Sequence, residues 1–398
     1  LPGLGGVPLL INLPPKKTLL IIHVATIGIT AYKALLTQCL RQREAGLEVR
    51  FVFSPSPETE LLREMDFAVK EIYIDRDIRP VKDLKSILDL SRYFRDVKPD
   101  LVHTHTSKAG VVGRIAAQLT GVPNIVHTVH GFPFHENMPF FKKLLYERIE
   151  KIAARMTDVM LFQSKEDVLT AQKLSIWPRK AAPVHIGNGV DLTQFHPEKS
   201  TTAKKNALRL SLGIRKDEPV IIMIGRVNHE KGFNDLVDAL HIIRHLSWKT
   251  LVVGPDEGYL PVILDKINQY KLKERVEILG LRRDISDLLA ISDIFVLPSY
   301  REGLPRSLIE AQATGLPCIA SNIRGCREII EPEQTGFLIE PGDYIALGRS
   351  LRRLLENPEL SREMGRAARK RAEECYSELE VSMKILKAYR MVLNFSVI

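Results

Sequence analysis

Two doubly wound α/β domains, each built on a parallel sheet, are predicted for this chain by three observations. Apolar runs of strand length alternate with segments of helical period. The alternation stops at a turn rich in Gly and Asn around Gly187 and then starts again. The chain is also long enough, at 398 residues, for two or three compact units that each bury a core.

In chain order, Thr18 to Val24 reads as a strand, followed by a helix through Leu40, then strands at Val49 to Phe53, Leu101 to His103, Ile125 to Val129 and Val159 to Phe162. Ile186-Gly187-Asn188-Gly189-Val190-Asp191 and the polar stretch from Pro197 to Lys205 interrupt the pattern. It resumes at Val220 to Ile224, Thr250 to Val253, Val276 to Leu279, Ile294 to Leu297, Cys318 to Ala320 and Gly336 to Ile339. Residues from about Ser361 to Val397 read as helical. The domains are therefore placed at 16–187 and 188–370, with 371–398 as a C-terminal helix free to cross back to the first domain. Ligands of open parallel sheets bind beyond the carboxyl ends of the strands. Two such sheets facing each other would put the site in the cleft between them.

Composition narrows the class. With 45% apolar and 26% charged residues the chain is ordinary for a globular protein, which excludes disorder and fibrous repeats. Cys39, Cys318, Cys326 and Cys375 are too few for a disulfide scaffold and form no C-x-x-C pair, so a reducing cytoplasm is expected. The apolar opening Leu1 to Leu13 has its lysines, Lys16 and Lys17, after it and not before it, unlike a signal peptide. No stretch is long and apolar enough to span a bilayer. Of the net charge of +9, residues 1–187 carry +7 and the remainder +2. Basic surface attracts nucleic acid, anionic lipid or phosphorylated substrates alike, so charge alone selects no partner.

The residues that follow strands do select one. After Ile294 to Leu297 comes Pro298-Ser299-Tyr300-Arg301-Glu302-Gly303-Leu304-Pro305-Arg306-Ser307-Leu308-Ile309-Glu310. Glu302 sits in the loop and Glu310 about two turns into the next helix; carboxylates accept hydrogen bonds from sugar hydroxyls. Gly303 permits close backbone approach, and a helix start offers unpaired N–H groups to a phosphate. After Val220 to Ile224 comes Gly225-Arg226-Val227-Asn228-His229-Glu230-Lys231-Gly232, where Arg226 and Lys231 can clamp a diphosphate without a metal. The Walker A spacing is missing.

In the first half, His103-Thr104-His105 and Thr128-Val129-His130-Gly131-Phe132 both follow strands, with His127 and His135 close by. An H-x-H pair can ligate zinc, yet no cysteine or carboxylate completes a set. His130 before Gly131 suits hydrogen bonding to a substrate; a histidine satisfied within the core is the plainer alternative. Gly28, after the first strand, either admits a ligand to the next helix or makes a tight turn. Gly187-Asn188-Gly189 opens like G-x-G-x-x-G but has Leu192 at the third glycine, and Asp75-Arg76-Asp77 resembles a metal-binding D-x-D away from the phosphate-facing loops. Pro139 to Arg155 joins Phe140 and Phe141 to a basic helix, which either lies on an anionic membrane or packs its apolar side on the sheet.

In combination these residues resemble glycosyltransferase family 4, the retaining, nucleotide-sugar-dependent enzymes of the GT-B fold, from about Lys16 to about Arg371. Glu302-Gly303-Leu304-Pro305 through Glu310-Ala311 resembles the family's Glu-x7-Glu motif, Gly225-Arg226 through Lys231-Gly232 its phosphate loop, and Asn188-Gly189-Val190-Asp191 its linker. His130-Gly131-Phe132 with the segment His103 to Gly110 is most similar to the branch that builds bacterial capsules and exopolysaccharides. The resemblance implies an acceptor-side first domain, a second domain that binds the nucleotide-sugar, a UDP-sugar as the donor, and no metal or other cofactor. Arg226 and Lys231 would bind the donor diphosphate, Glu310 the ribose, and Glu302 with Gly303 and Leu304 the sugar and phosphate. His130 would contact the sugar near the reacting carbon, and Gly28 would lie beside the donor. Many members carry two or more glycines in the first loop where this chain has Gly28. The expected acceptor is a lipid-linked saccharide at the inner face of the cytoplasmic membrane, with a soluble saccharide as the alternative, and nucleic acid is not expected. A UDP-sugar epimerase or a nucleotide-sugar-binding module without turnover are the rival readings.

Overall fold

The structure, a computed structural model, describes residues 18–134 and 138–393. His135 and the opening segment with Lys16 and Lys17 lie outside the described residues.

The first sheet contains β1 (Leu20–Ile27), β2 (Glu48–Ser54), β3 (Ala68–Glu71), β4 (Leu101–His105), β5 (Ile125–Val129), β6 (Val159–Phe162) and β7 (Val184–His185). The second contains β8 (Val220–Ile224), β9 (Lys249–Val253), β10 (Val276–Gly280), β11 (Ile294–Leu297), β12 (Cys318–Ser321) and β13 (Gly336–Ile339). Their orders are β3-β2-β1-β4-β5-β6-β7 and β10-β9-β8-β11-β12-β13, and every pairing within them is parallel. Central strands such as Val220–Ile224 and Ile294–Leu297 are unbroken apolar runs because helices cover both faces of each sheet. The order reverses direction between β1 and β4, and between β8 and β11. A crevice opens there at the carboxyl ends of the strands.

Four elements differ from expectation: the first sheet carries two edge strands outside the predicted runs, β3 and β7. The helix after β1 runs from Gly28 to Glu44 but contains a π-helical turn over Ala31–Leu35. The predicted terminal helix is two helices, Pro358–Cys375 and Glu378–Tyr389. The chain breaks at Tyr376-Ser377 because it pairs there with the interdomain linker: Val190 N donates to Tyr376 O (3.0 Å) and Glu378 N to Val190 O (3.2 Å). A Cβ on Gly189 would stand 2.7 Å from the Glu378 backbone, so the linker glycine is required by close approach.

Beyond that break the last helix packs on the first sheet. Ile385, Leu386 and Tyr389 share a core with Ile21, Leu101, Val126 and Leu161, which ties the end of the chain to its beginning. We predict that Ile385→Ala costs about 2–5 kcal/mol of stability, the range for emptying a buried aliphatic site. Urea denaturation measures it, and a cost below about 0.5 kcal/mol would mean that the helix is not part of that core.

Candidate active site

Because β8 and β11 are neighbours, their loops meet. Tyr300 N donates to Glu230 O (2.8 Å), and a Cβ on Gly232 would lie 2.0 Å from Pro298 O. Gly232 also has φ +74°, so torsion and space both demand glycine where the turn His229–Lys231 enters the helix Phe233–Ile242. This contact brings Lys231 Nζ to 2.6 Å from Glu302 Oε1, an oxygen that also accepts from Ser299 Oγ at 2.8 Å. Arg226 donates to both oxygens of Glu257, each at 2.8 Å, in the loop after β9. Asn228 Nδ2 (2.8 Å) and Arg76 of the first domain (3.3 Å) bind the same carboxylate. Burial would raise the Glu257 acid, but these donors hold it below its ordinary value. The two cations expected to clamp a diphosphate are therefore each matched with a carboxylate.

Glu310 lies on the helix Arg306–Ala313, where Arg306 Nε donates to it at 3.1 Å. Its carboxyl is pushed up by burial, against the pull of Arg306 and of Lys33 from the helical segment after β1. Leu304 is buried, and its carbonyl accepts from Asn188 Nδ2 at 3.1 Å, which joins the linker to the glutamate loop. No side chain caps the helix Arg306–Ala313, so its first N–H groups remain available to an anion.

The first domain meets this loop directly. A Cβ on Gly303 would fall 1.9 Å from the His130 carbonyl oxygen, and one on Gly131 would fall 2.8 Å from Gly303 Cα. Glu302, Gly303 and His130 are thus brought together across the cleft. Beside them, His105, His130, Gln163, Asn188, Arg306 and Glu378 line a cavity between the two domains. Gly28 is accounted for by packing: a Cβ there would stand 2.0 Å from Ser56 Oγ and 2.9 Å from Phe53. His103 and His105 form a buried cluster with His23, whose possible metal-binding atoms lie within 4.8 Å of one another.

A clasp holds this face. Buried Asp167 pairs with Arg324 NH1 at 2.8 Å, and Arg324 NH2 donates to Phe132 O at 3.1 Å. Glu328 accepts from Ser164 Oγ, from Lys165 N (2.9 Å) and from Glu166 N (3.1 Å), so a carboxylate of one domain caps the helix Lys165–Leu174 of the other. Sequence reading missed Glu257, Arg306, Arg324 and Glu328. Glu257 and Arg324 follow β9 and β12, and the rule that found the other loops reaches them too. On the outer surface, Glu150 anchors the helix Phe140–Ala154 through a buried pair with Arg114 (3.0 Å), while Phe140 and Phe141 are 71% and 83% exposed. Their rings do not pack on the sheet. The D-x-D segment is occupied internally, with Asp75 paired to Lys82 and Arg79.

Comparison with known proteins places the chain among similar sequences. Residues 204–371 match the family described as Glycosyl transferases group 1, and residues 28–187 match the Glycosyl transferase 4-like domain. The chain is 36% identical over 305 residues to the UDP-Gal:alpha-D-GlcNAc-diphosphoundecaprenol alpha-1,3-galactosyltransferase of Escherichia coli, covering 75% of this chain and 78% of that one. It is 28% identical over 365 residues to the capsular polysaccharide biosynthesis glycosyltransferase CapM of Staphylococcus aureus, covering 89% and 92%. Among solved structures, Anabaena HepE in complex with UDP and glucose superposes with a TM-score of 0.80 at 20% identity, over 94% of this chain and 99% of that one. This likeness shows the GT-B fold.

The buried histidines make stability depend on pH. Desolvation pushes His23 and His130 down to about 4 from an ordinary 6.5, and His103, His105 and His127 further below that ordinary value. As pH falls from 6.5 toward 4, the unfolded chain takes up protons that the folded chain refuses, so stability is full above this window and lost within it. Asp167, pushed up to about 6 by burial, and Glu310 work the other way but are outnumbered. Each ring contributes a slope of at most about 1.4 kcal/mol per pH unit. We predict that Tm falls steadily from pH 7 to pH 5; a flat or rising Tm would show the rings to be solvated.

Proposed function

The chain belongs to the group 1 glycosyl transferases, and from that footing we propose that it moves a sugar from a UDP-sugar to a hydroxyl of an undecaprenol-diphosphate-linked saccharide during assembly of a bacterial surface polysaccharide. The observation that carries this reading is the Lys231–Glu302 pair beside Gly303, set against the His130 carbonyl at the mouth of both sheets. When the bond from the sugar C1 to the diphosphate breaks, its electron pair leaves with UDP. Lys231, Arg226 and the uncapped start of the helix Arg306–Ala313 offset that charge. Glu310 binds the ribose hydroxyls, Glu302 with the Gly303 and Leu304 backbone holds the sugar and phosphate, and His130 contacts the sugar near C1. The acceptor hydroxyl adds to C1 from the face the diphosphate leaves and passes its proton to the departing phosphate oxygen, with retention and with no metal.

Arg226→Ala and Lys231→Ala are each expected to lower turnover at least about tenfold, the scale of a lost charge-assisted contact. Glu310→Ala should chiefly weaken UDP binding by calorimetry, while Glu302→Ala and His130→Ala should chiefly slow the chemical step. EDTA should leave the rate unchanged. Near-normal turnover in both cation variants, or loss with EDTA restored by Mn²⁺, would refute the metal-free diphosphate site. Turnover of donor without any acceptor would point to an epimerase, and no turnover of any donor to a binding module.

We propose further that the enzyme works at the cytoplasmic face of the membrane through the helix Phe140–Ala154. Supporting this are two exposed phenylalanines beside Lys142 and Lys143, and the absence of any membrane-spanning helix among the described residues. Each basic residue near an anionic surface contributes about 1 kcal/mol. The wild type should sediment with anionic liposomes at low salt, and the Lys142→Glu/Lys143→Glu variant should not, with UDP binding unaltered. Equal sedimentation with neutral and anionic vesicles would remove the charge-based attachment and favour a soluble saccharide acceptor.

A further inference from the structure

Five imidazoles occupy the first sheet and its carboxyl edge: His23 on β1, His103 and His105 on β4, His127 on β5 and His130 just beyond it. The sugar-transfer reading uses His130 alone. The others are buried polar rings where valine or isoleucine would cost less, so their hydrogen bonds need an account.

Three of the rings join one run with His130. His130 Nε2 lies 3.2 Å from His105 Nδ1, His105 Nε2 lies 2.9 Å from His23 Nδ1, and His23 Nε2 lies 2.8 Å from Gln42 Oε1. From there Gln42 Nε2 donates to the Tyr389 hydroxyl (3.3 Å), that oxygen lies 2.6 Å from His103 Nδ1, and His103 Nε2 lies 2.7 Å from Thr128 Oγ1. A neutral imidazole has one N–H and one bare nitrogen, so each proton in the run dictates the next. With the Gln42 carbonyl turned to His23, His23 carries its proton on Nε2 and accepts at Nδ1 from His105 Nε2–H. His105 then has a bare Nδ1, which accepts from His130 Nε2–H. On the far side Gln42 donates to Tyr389, Tyr389 to His103 and His103 to Thr128. Every donor in the run meets one acceptor, Gln163 is a further hydrogen-bond partner of His130 at the cavity, and burial keeps the rings neutral.

We propose that His105, His23 and Gln42 are positioning residues that hold the His130 proton on Nε2 and leave Nδ1 as the acceptor for a substrate hydroxyl, with Tyr389 of the last helix completing the relay. The proposal rests on the reading of His130 as a substrate contact. A metal suits the cluster less well. The rings of His103 and His105 lie with centroids 4.1 Å apart, tilted by 36°, and both His103 nitrogens already have oxygen partners, so neither is left for an ion.

The test reads protons directly. In the full chain with ¹⁵N-labelled histidine at neutral pH, long-range proton–nitrogen spectra assigned with single His→Gln variants should show a protonated Nε2 and a bare Nδ1 on His130, His105 and His23. Gln42→Met keeps the bulk and removes the acceptor. It should leave His130 a mixture of tautomers and lower kcat about tenfold or more while donor KM stays within about twofold, within the range of one well-placed proton donor or acceptor. A proton on His130 Nδ1 in the wild type overturns the proposal, as does Gln42→Met with an unchanged kcat. The wild-type spectrum decides the tautomer even if Gln42→Met fails to fold. Full turnover in His130→Ala would instead defeat the substrate-contact reading and leave the spectrum as it was, so the two failures are distinguishable.

Discussion

The cleft depends on how closely two backbones approach each other. The carbonyl of His130 and the α-carbon of Gly303 stand so near that only hydrogen fits between them, and Gly325 presses on Gly303 from the other side, where a Cβ would lie 1.6 Å from its carbonyl oxygen. With the two domains in that contact, the reacting groups of one are within reach of those of the other. The clasp of Asp167 with Arg324 and the Glu328 cap hold the contact by charge. That choice has an energetic meaning. Deleting one partner of a buried ion pair strands the other, but parting the domains returns both to water. The contact can therefore be specific in geometry and still open at modest cost.

Behind this contact stands the strand order. In each sheet the chain starts at an inner strand, winds outward to one edge, then returns to wind toward the other, which leaves two neighbouring strands whose loops turn apart. The glutamate and phosphate loops follow β11 and β8, while His103 and His105 lie on β4, His127 on β5 and His130 just past it, with His23 on the adjacent β1. Residues some seventy positions apart meet without any long connecting loop, as Lys231 and Glu302 do.

Much of this was legible in the sequence, for physical reasons. Parallel strands covered on both faces must be apolar throughout, so the central strands stood out, and residues just past them were the natural candidates for chemistry. What stayed hidden was whatever lacked an apolar signature or depended on a distant partner. The edge strand Ala68–Glu71 is largely exposed and carries no hydrophobic run. The helix break at Tyr376-Ser377 is made by pairing with Val190, and helical periodicity continues on either side of it. His23 is one polar residue in an apolar strand, and nothing in the strand itself shows that its ring meets His105. Arg226 and Lys231 read as free cations because nothing local announced Glu257 or placed Glu302 against the lysine.

The last helix has a consequence for how the protein is made. Its residues Ile385, Leu386 and Tyr389 complete a core whose members Ile21, Leu101, Val126 and Leu161 are made before the second domain. Domains of a growing chain ordinarily fold in the order of synthesis. Here part of the first domain's apolar surface stays bare until residues 385–389 are made, after all the strands of the second sheet. The nascent first half is then the species most exposed to misassociation, and the time taken to make the second domain sets how long it stays so.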